Sequence, residues 1–98
     1  LPYHMRVKRD QFEIVADILE NIKEGNDSKS SLMKNANLSF TILKKYLDYL
    51  IEKGYIEEKD SSYIITEKGV STLERLKKMR QLEFQLAELI NELSEELL

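Results

Sequence analysis

From Glu67 to Leu98 the chain contains no proline and a single glycine, Gly69, while Val70, Leu73, Leu76, Met79, Leu82, Leu86, Leu89 and Leu93 recur every three or four residues. Met79 to Leu93 keeps a strict 3-4-3-4 rhythm, the spacing of a coiled-coil seam. At 1.5 Å per residue such a helix extends about 48 Å, more than a small head can cover. Its apolar stripe therefore needs another partner, and a second copy of the chain is the expected one. Ile90 and Leu97 lie beside the strict seam and are counted with it as dimer-interface candidates, whereas Phe84 lies off it.

Upstream, the patterns are shorter. Phe12, Ile14, Val15, Ile18, Leu19 and Ile22 mark one face of a helix between Asp10 and Glu24, closed by the turn-forming Gly25-Asn26-Asp27. Asp27 or Ser28 caps a short second helix that runs to about Asn35, with Leu32 and Met33 inward. Ala36-Asn37-Leu38 makes a tight connection, and Ser39 caps a third helix with Phe40, Leu43, Leu47, Leu50 and Ile51 as its apolar residues, ended by Gly54. Tyr55–Lys59 and Tyr63–Thr66 read as a hairpin around a three-residue loop, Asp60-Ser61-Ser62, and Thr66 caps the long helix. The predicted architecture is mainly α with a small β-hairpin: a winged helix-turn-helix head at residues 6–66, then a coiled-coil dimerisation helix at 67–98.

Composition narrows the chemistry. No cysteine is present in 98 residues, and His4 is the only histidine, so thiolate metal sites, disulfides and histidine-based catalytic pairs are excluded. No cofactor, metal or small-molecule substrate is expected, and neither is enzymatic activity. No apolar run reaches the roughly 20 residues of a membrane span, so a cytoplasmic protein is expected. Leu1–His4 precede Met5 and are given no functional weight.

The net charge of −3 is unevenly laid out. Ser28 to Leu47 holds four lysines (Lys29, Lys34, Lys44, Lys45) and no acid, and Arg6, Lys8 and Arg9 form a second basic cluster. Gln81 to Leu98 holds five acids and no base, whereas Lys68 to Arg80 holds five bases and one acid, Glu74. Antiparallel pairing of two long helices would set each basic half along an acidic half; parallel pairing would set acid beside acid.

In a helix-turn-helix the second helix of the pair is the one offered to the major groove. On the outward face of the third helix lie Thr41, Lys45, Asp48 and Glu52, with Lys44 at the margin, so DNA contacts should concentrate in its N-terminal half. Lys29 and Lys34 would anchor phosphates from the second helix. Asn37 and Ser39 are turn and cap formers that could also meet phosphate, Lys59, Ser61 and Ser62 stand at the wing tip, and Lys8 and Arg9 could form a backbone arm. The plain alternative for this whole set is a solvated helix face. Tyr46, Tyr49, Tyr55 and Tyr63 have spacings that fit half-buried packing better than base stacking.

Lys8-Arg9-Asp10, Asn35-Ala36-Asn37-Leu38-Ser39, Leu43-Lys44-Lys45-Tyr46-Leu47, Glu52-Lys53-Gly54-Tyr55-Ile56 and Thr66-Glu67-Lys68-Gly69 together resemble archaeal winged-helix regulators, in particular the Sulfolobus ten-a DNA-binding protein family. The resemblance runs from about Lys8 to the C-terminus and is strongest over Asn35 to Gly69. It implies binding of double-stranded DNA, an archaeal source and a homodimer joined by an antiparallel coiled coil. The chain departs from that family in Ser30-Ser31-Leu32, where a threonine-arginine pair is common, and in a wing without glycine. The function expected is that of a transcriptional regulator or chromatin-architectural protein; the alternative is a winged-helix adaptor that binds only proteins.

Overall fold

The computed structural model describes the backbone of residues 2–98 and the side chains of residues 10–98. Its elements run α1 (Pro2–Lys23), α2 (Lys29–Ala36), α3 (Phe40–Glu52), β1 (Ile56–Lys59), β2 (Ser62–Ile65) and α4 (Glu67–Leu97). The first helix starts earlier than its apolar pattern at Asp10 indicates. Nothing between Tyr3 and Arg9 breaks a helix, and proline is tolerated in a first helical turn, where its missing N–H would have no partner.

Among the described residues eleven buried side chains form the core, with every element contributing: Ala16, Ile18, Leu19 and Ile22 from α1, Leu32 from α2, Leu43, Leu47 and Leu50 from α3, Ile56 and Tyr63 from the hairpin, and Leu73 from α4. Ile14, Val15, Met33, Leu38, Tyr46, Tyr55, Ile65 and Leu76 pack against it. Three residues expected inside are half exposed: Phe12 (40%), Phe40 (48%) and Ile51 (36%). All three stand at the margin of an apolar arc whose centre is filled by leucine and isoleucine.

The hairpin is tighter than its sequence indicates. Lys59 pairs with Ser62 in an antiparallel register that continues through Glu58↔Tyr63 and Glu57↔Ile64 to Ile56↔Ile65. The loop is therefore Asp60-Ser61 alone, and Ser62 belongs to β2. Asp60 takes the left-handed backbone conformation at φ 58°, which lets so short a loop close without glycine. A backbone bond from Tyr63 N–H to the Asp27 carbonyl (3.0 Å) ties β2 to the loop before α2.

The junction between α3 and α4 is closely bonded. Gly54 leaves α3 at φ 81°, and the Thr66 hydroxyl lies 2.6 Å from the Gly54 carbonyl oxygen while also accepting from Gly69 N–H at 3.1 Å. The Lys68 ammonium donates to the Lys53 carbonyl (2.6 Å) and lies 4.6 Å from the centre of the Tyr55 ring. A cation at the carbonyl end of α3 is favoured by the helix dipole. The packing of the head thus continues past residue 66 into α4.

The α1–α4 contact is antiparallel and fringed by ion pairs, Lys77 with Glu20 (3.1 Å) and Arg80 with Asp17 (3.6 Å). Beyond it the apolar side chains of α4 from Leu82 to Leu97 are largely exposed, and the molecule has extents of 57 × 26 × 24 Å. Among the described residues no helix is long and apolar enough to cross a membrane.

Candidate nucleic-acid interface

The α2–turn–α3 unit is set by local hydrogen bonding. Ser28 caps α2 in a capping box with Ser31, each side chain serving the other's backbone N–H at 3.2 Å. Asn37 ends α2 in the left-handed conformation (φ 53°, ψ 50°), one of the few non-glycine residues that accept it readily. Ser39 then caps α3, its hydroxyl accepting from Ile42 N–H at 3.3 Å. The side chain of Ser39 and the backbone of Asn37 are thereby committed to the turn. Their value to an interface is to aim the start of α3 outward.

Burial of Leu43, Leu47 and Leu50 fixes which side of α3 faces solvent. Thr41, Lys44, Lys45, Asp48 and Glu52 are all exposed, as are Lys29 and Lys34 on α2. Lys29 and Lys44 line one cleft, and Lys34 and Lys45 are exposed on the same two helices. Lys44 is not a bare charge: its ammonium lies 2.7 Å from the Asp48 carboxylate one turn on, both side chains being more than half exposed. Such a pair contributes little to stability in water, and a phosphate can replace the carboxylate at little cost.

The C-terminal half of α3 and the wing have the opposite sign. Asp48, Glu52, Glu57, Glu58 and Asp60 are exposed there, with Lys59 as the hairpin's one cation. Ser62 donates to the Lys59 carbonyl (3.2 Å), so this serine closes the turn, leaving Lys59, Asp60 and Ser61 as the exposed polar groups of the tip. A shallow cleft between α2, α3 and the hairpin is lined by Lys29, Phe40, Lys44, Ile51, Glu58 and Tyr63, among others. Burial, then the charge and hydrogen bond of its cross-strand neighbour Glu58, and last Asp48, push the Tyr63 hydroxyl up to about 12.

Two residues of this surface escape a reading of the sequence. Ile42 (46% exposed) and Tyr49 (50%) stand on the outer flank of α3, with the Lys53 ammonium 5.9 Å from the Tyr49 ring centre. Tyr49 is thus more open than its spacing indicates, whereas Tyr63 is buried and Tyr46 and Tyr55 are partly so. The signal for Ile42 was its place beside Thr41 in the first turn after the Ser39 cap, outside the leucine arc. Lys8 and Arg9, offered as an arm, lie outside the described side chains.

On α4 the structure divides the proposed seam. Leu73 is 1% exposed within its own chain's core and Leu76 packs against that core, so Leu73 is not free to meet a second chain. Val70 and Met79 are half-buried. Leu82, Leu86, Leu89, Ile90, Leu93 and Leu97 are 43–74% exposed. The basic half of α4 is also partly engaged: Lys77 and Arg80 pair with α1, and Lys68 serves the α3 terminus. Among the described residues no cluster of carboxylates and imidazole is arranged to hold a metal ion.

Comparison with known proteins agrees with this architecture. MJ0287 of Methanocaldococcus jannaschii is 37% identical over 86 residues, covering 88% of this chain and 81% of its own length. A second protein of that archaeon, MJ0290, is 33% identical over 76 residues, 78% of this chain but 36% of its own length. Among solved structures, the crystal structure of Sso10a-2, a DNA-binding protein from Sulfolobus solfataricus, superposes with a TM-score of 0.76 at 26% identity, covering 89% of this chain and 95% of that one. Residues 8–84 match the winged helix-turn-helix family, and with a hairpin wing behind the α2–α3 pair the chain belongs to that family.

Proposed function

We propose that this protein binds double-stranded DNA through α2 and the N-terminal half of α3, without catalysing a reaction, as a transcriptional regulator or chromatin-architectural protein. The observation that carries this reading is the acid-free segment from Ser28 to Leu47, whose Lys29, Lys34, Lys44 and Lys45 are all exposed on α2 and the N-terminal half of α3. Lysine ammonium groups so placed suit phosphate oxygens, while Thr41 and the α3 first turn suit base edges. The DNA-binding character of Sso10a-2, similar along nearly the whole chain, supports it.

The same reading includes a homodimer. The stripe from Met79 to Leu93, half-buried at Met79 and exposed from Leu82 on, forms the middle of the seam, and the orientation favoured is antiparallel. Arg75 and Lys78, which have no ion-pair partner among the described residues, would then lie beside acids such as Glu95 and Glu96 of the other chain when the seam centres on Leu86. Parallel pairing would align Glu88, Glu92, Glu95 and Glu96 with their own copies.

The acidic wing favours a second reading, a protein-binding adaptor, because Glu57, Glu58 and Asp60 would repel a duplex. Titration of duplex DNA at several salt concentrations separates the two. Replacing Lys44 and Lys45 by Ala should weaken binding and lower the log–log salt slope by about 0.9 for each phosphate no longer neutralised. No duplex binding at low salt would favour the adaptor.

A further inference from the structure

The first turn of α3 exposes two large apolar side chains, Phe40 at 48% and Ile42 at 46%, on either side of Thr41. Leaving so much of both in water is unfavourable, and the rest of the chain covers each only about half. Lysines stand close by: Lys29 and Lys44 line the same cleft as Phe40, with Asp48 and Glu58 at its far side along α3 and the hairpin, Lys45 follows within the next turn, and no acid occurs in the sequence between Ser28 and Leu47. Exposed apolar side chains beside lysine ammonium groups are complementary to a polyanion that carries apolar groups, and the major groove of DNA offers one, the thymine 5-methyl.

Resting on the duplex-binding reading above, we propose that Phe40 and Ile42 read thymine methyl groups and give the head a preference for thymine-bearing steps. Neither side chain has a hydrogen-bonding atom, so neither can pair with guanine or adenine edges; each discriminates by burying a methyl group that cytosine lacks. Thr41, between them, is left for a polar edge. The acids Asp48 and Glu52 further along α3, and Glu57, Glu58 and Asp60 on the wing, confine the close approach of phosphates to this first turn and its lysines. Apolar contacts at the tip thereby carry more of the base reading than in a helix that is basic throughout.

The test is titration of the full chain with an A·T-rich duplex and with the same duplex carrying deoxyuridine in place of every thymidine, which removes the methyl groups and keeps every hydrogen-bonding edge. The expected result is weaker binding to the uracil duplex, by about fourfold for each methyl buried. A variant carrying Phe40→Ala and Ile42→Ala, checked for folding by its melting curve, should bind both duplexes alike with the wild-type salt slope. Equal binding of both duplexes by the wild type, with ordinary salt dependence, would overturn the methyl reading and leave duplex binding standing. Discrimination that survives in the double variant would overturn it as well. Failure to bind either duplex at low salt would overturn the duplex-binding reading itself, and this inference with it.

Discussion

Gly69 sits so close to the backbone of Tyr55 that a Cβ there would overlap the Tyr55 carbonyl oxygen and lie 2.7 Å from Cγ1 of Ile65. The contact joins the first turn of α4 to the exit of α3, where Thr66 and Lys68 are bonded to Gly54 and Lys53. It accounts for the order Thr66-Glu67-Lys68-Gly69: cap, dipole-matched acid, carbonyl-binding cation, then the residue that permits close approach. The orientation of the rod relative to the head depends on it.

Replacing Gly69 with Ala sets two effects against each other. Alanine gains about 1 kcal/mol in helix propensity. Overpacking against an immobile carbonyl costs about 1–3 kcal/mol and displaces the junction. The expected net effect is a loss of thermal stability of several degrees, read by helical circular dichroism; an unchanged or higher melting temperature would show that the junction yields freely.

Alkaline stability should depend on Tyr63. Its hydroxyl is raised from 10.0 to about 12, chiefly by burial and then by Glu58, so the phenolate is favoured in the unfolded chain. The stabilisation is fully present below pH 10 and disappears as pH rises through about 12. It is on the order of 2 kcal/mol over that window. Melting curves of wild type and Tyr63→Phe at pH 9 and pH 11 check this: the wild type should lose more stability between the two than the variant, and parallel losses would assign the alkaline sensitivity elsewhere.

The pair of Lys44 and Asp48 predicts a gain of binding. Asp48→Asn removes a carboxylate 2.7 Å from the Lys44 ammonium, on the face proposed to meet DNA. Stability should change by less than about 0.5 kcal/mol, because both groups are exposed. Duplex affinity at low salt should rise, with the effect shrinking as salt is added. Weaker binding would indicate that Asp48 itself accepts from a base, as a carboxylate can from a cytosine amino group.

The order of elements was legible in the sequence because each boundary carries its own chemistry. Ser28, Ser39 and Thr66 cap helices as their positions indicate, and Gly54 turns the chain after α3. The hairpin loop is one residue shorter than expected, because a loop without glycine points to a longer turn and Asp60 supplies the left-handed conformation instead. Leu73 and Leu82 share one heptad-like pattern although one is buried by its own head and the other is bare. Periodicity identifies the face of a helix, but what covers that face depends on tertiary packing. Exposure of Phe40 and Ile42 was hidden for a similar reason, since hydrophobicity alone does not reveal that a helix tip protrudes beyond the core.

The division of α4 makes the dimer testable by contrast. Leu86→Lys with Leu93→Lys places charge in the uncovered stripe, 58% and 43% exposed in the single chain, and should give a folded monomer by sedimentation. Leu73→Ala should instead destabilise the head by about 2–5 kcal/mol, because that side chain is in the core. Orientation is read separately. The chain has no cysteine, so Ser71→Cys, at an exposed position, gives one dye site per subunit. With an antiparallel seam centred on Leu86, each dye stands fifteen residues from the centre, so the pair is about 45 Å apart. A parallel seam would bring the dyes to roughly the interhelical spacing of about 10 Å. Strong energy transfer would therefore reject the antiparallel arrangement, and a wild-type monomer at micromolar concentration would reject the dimer and leave the stripe for a different partner.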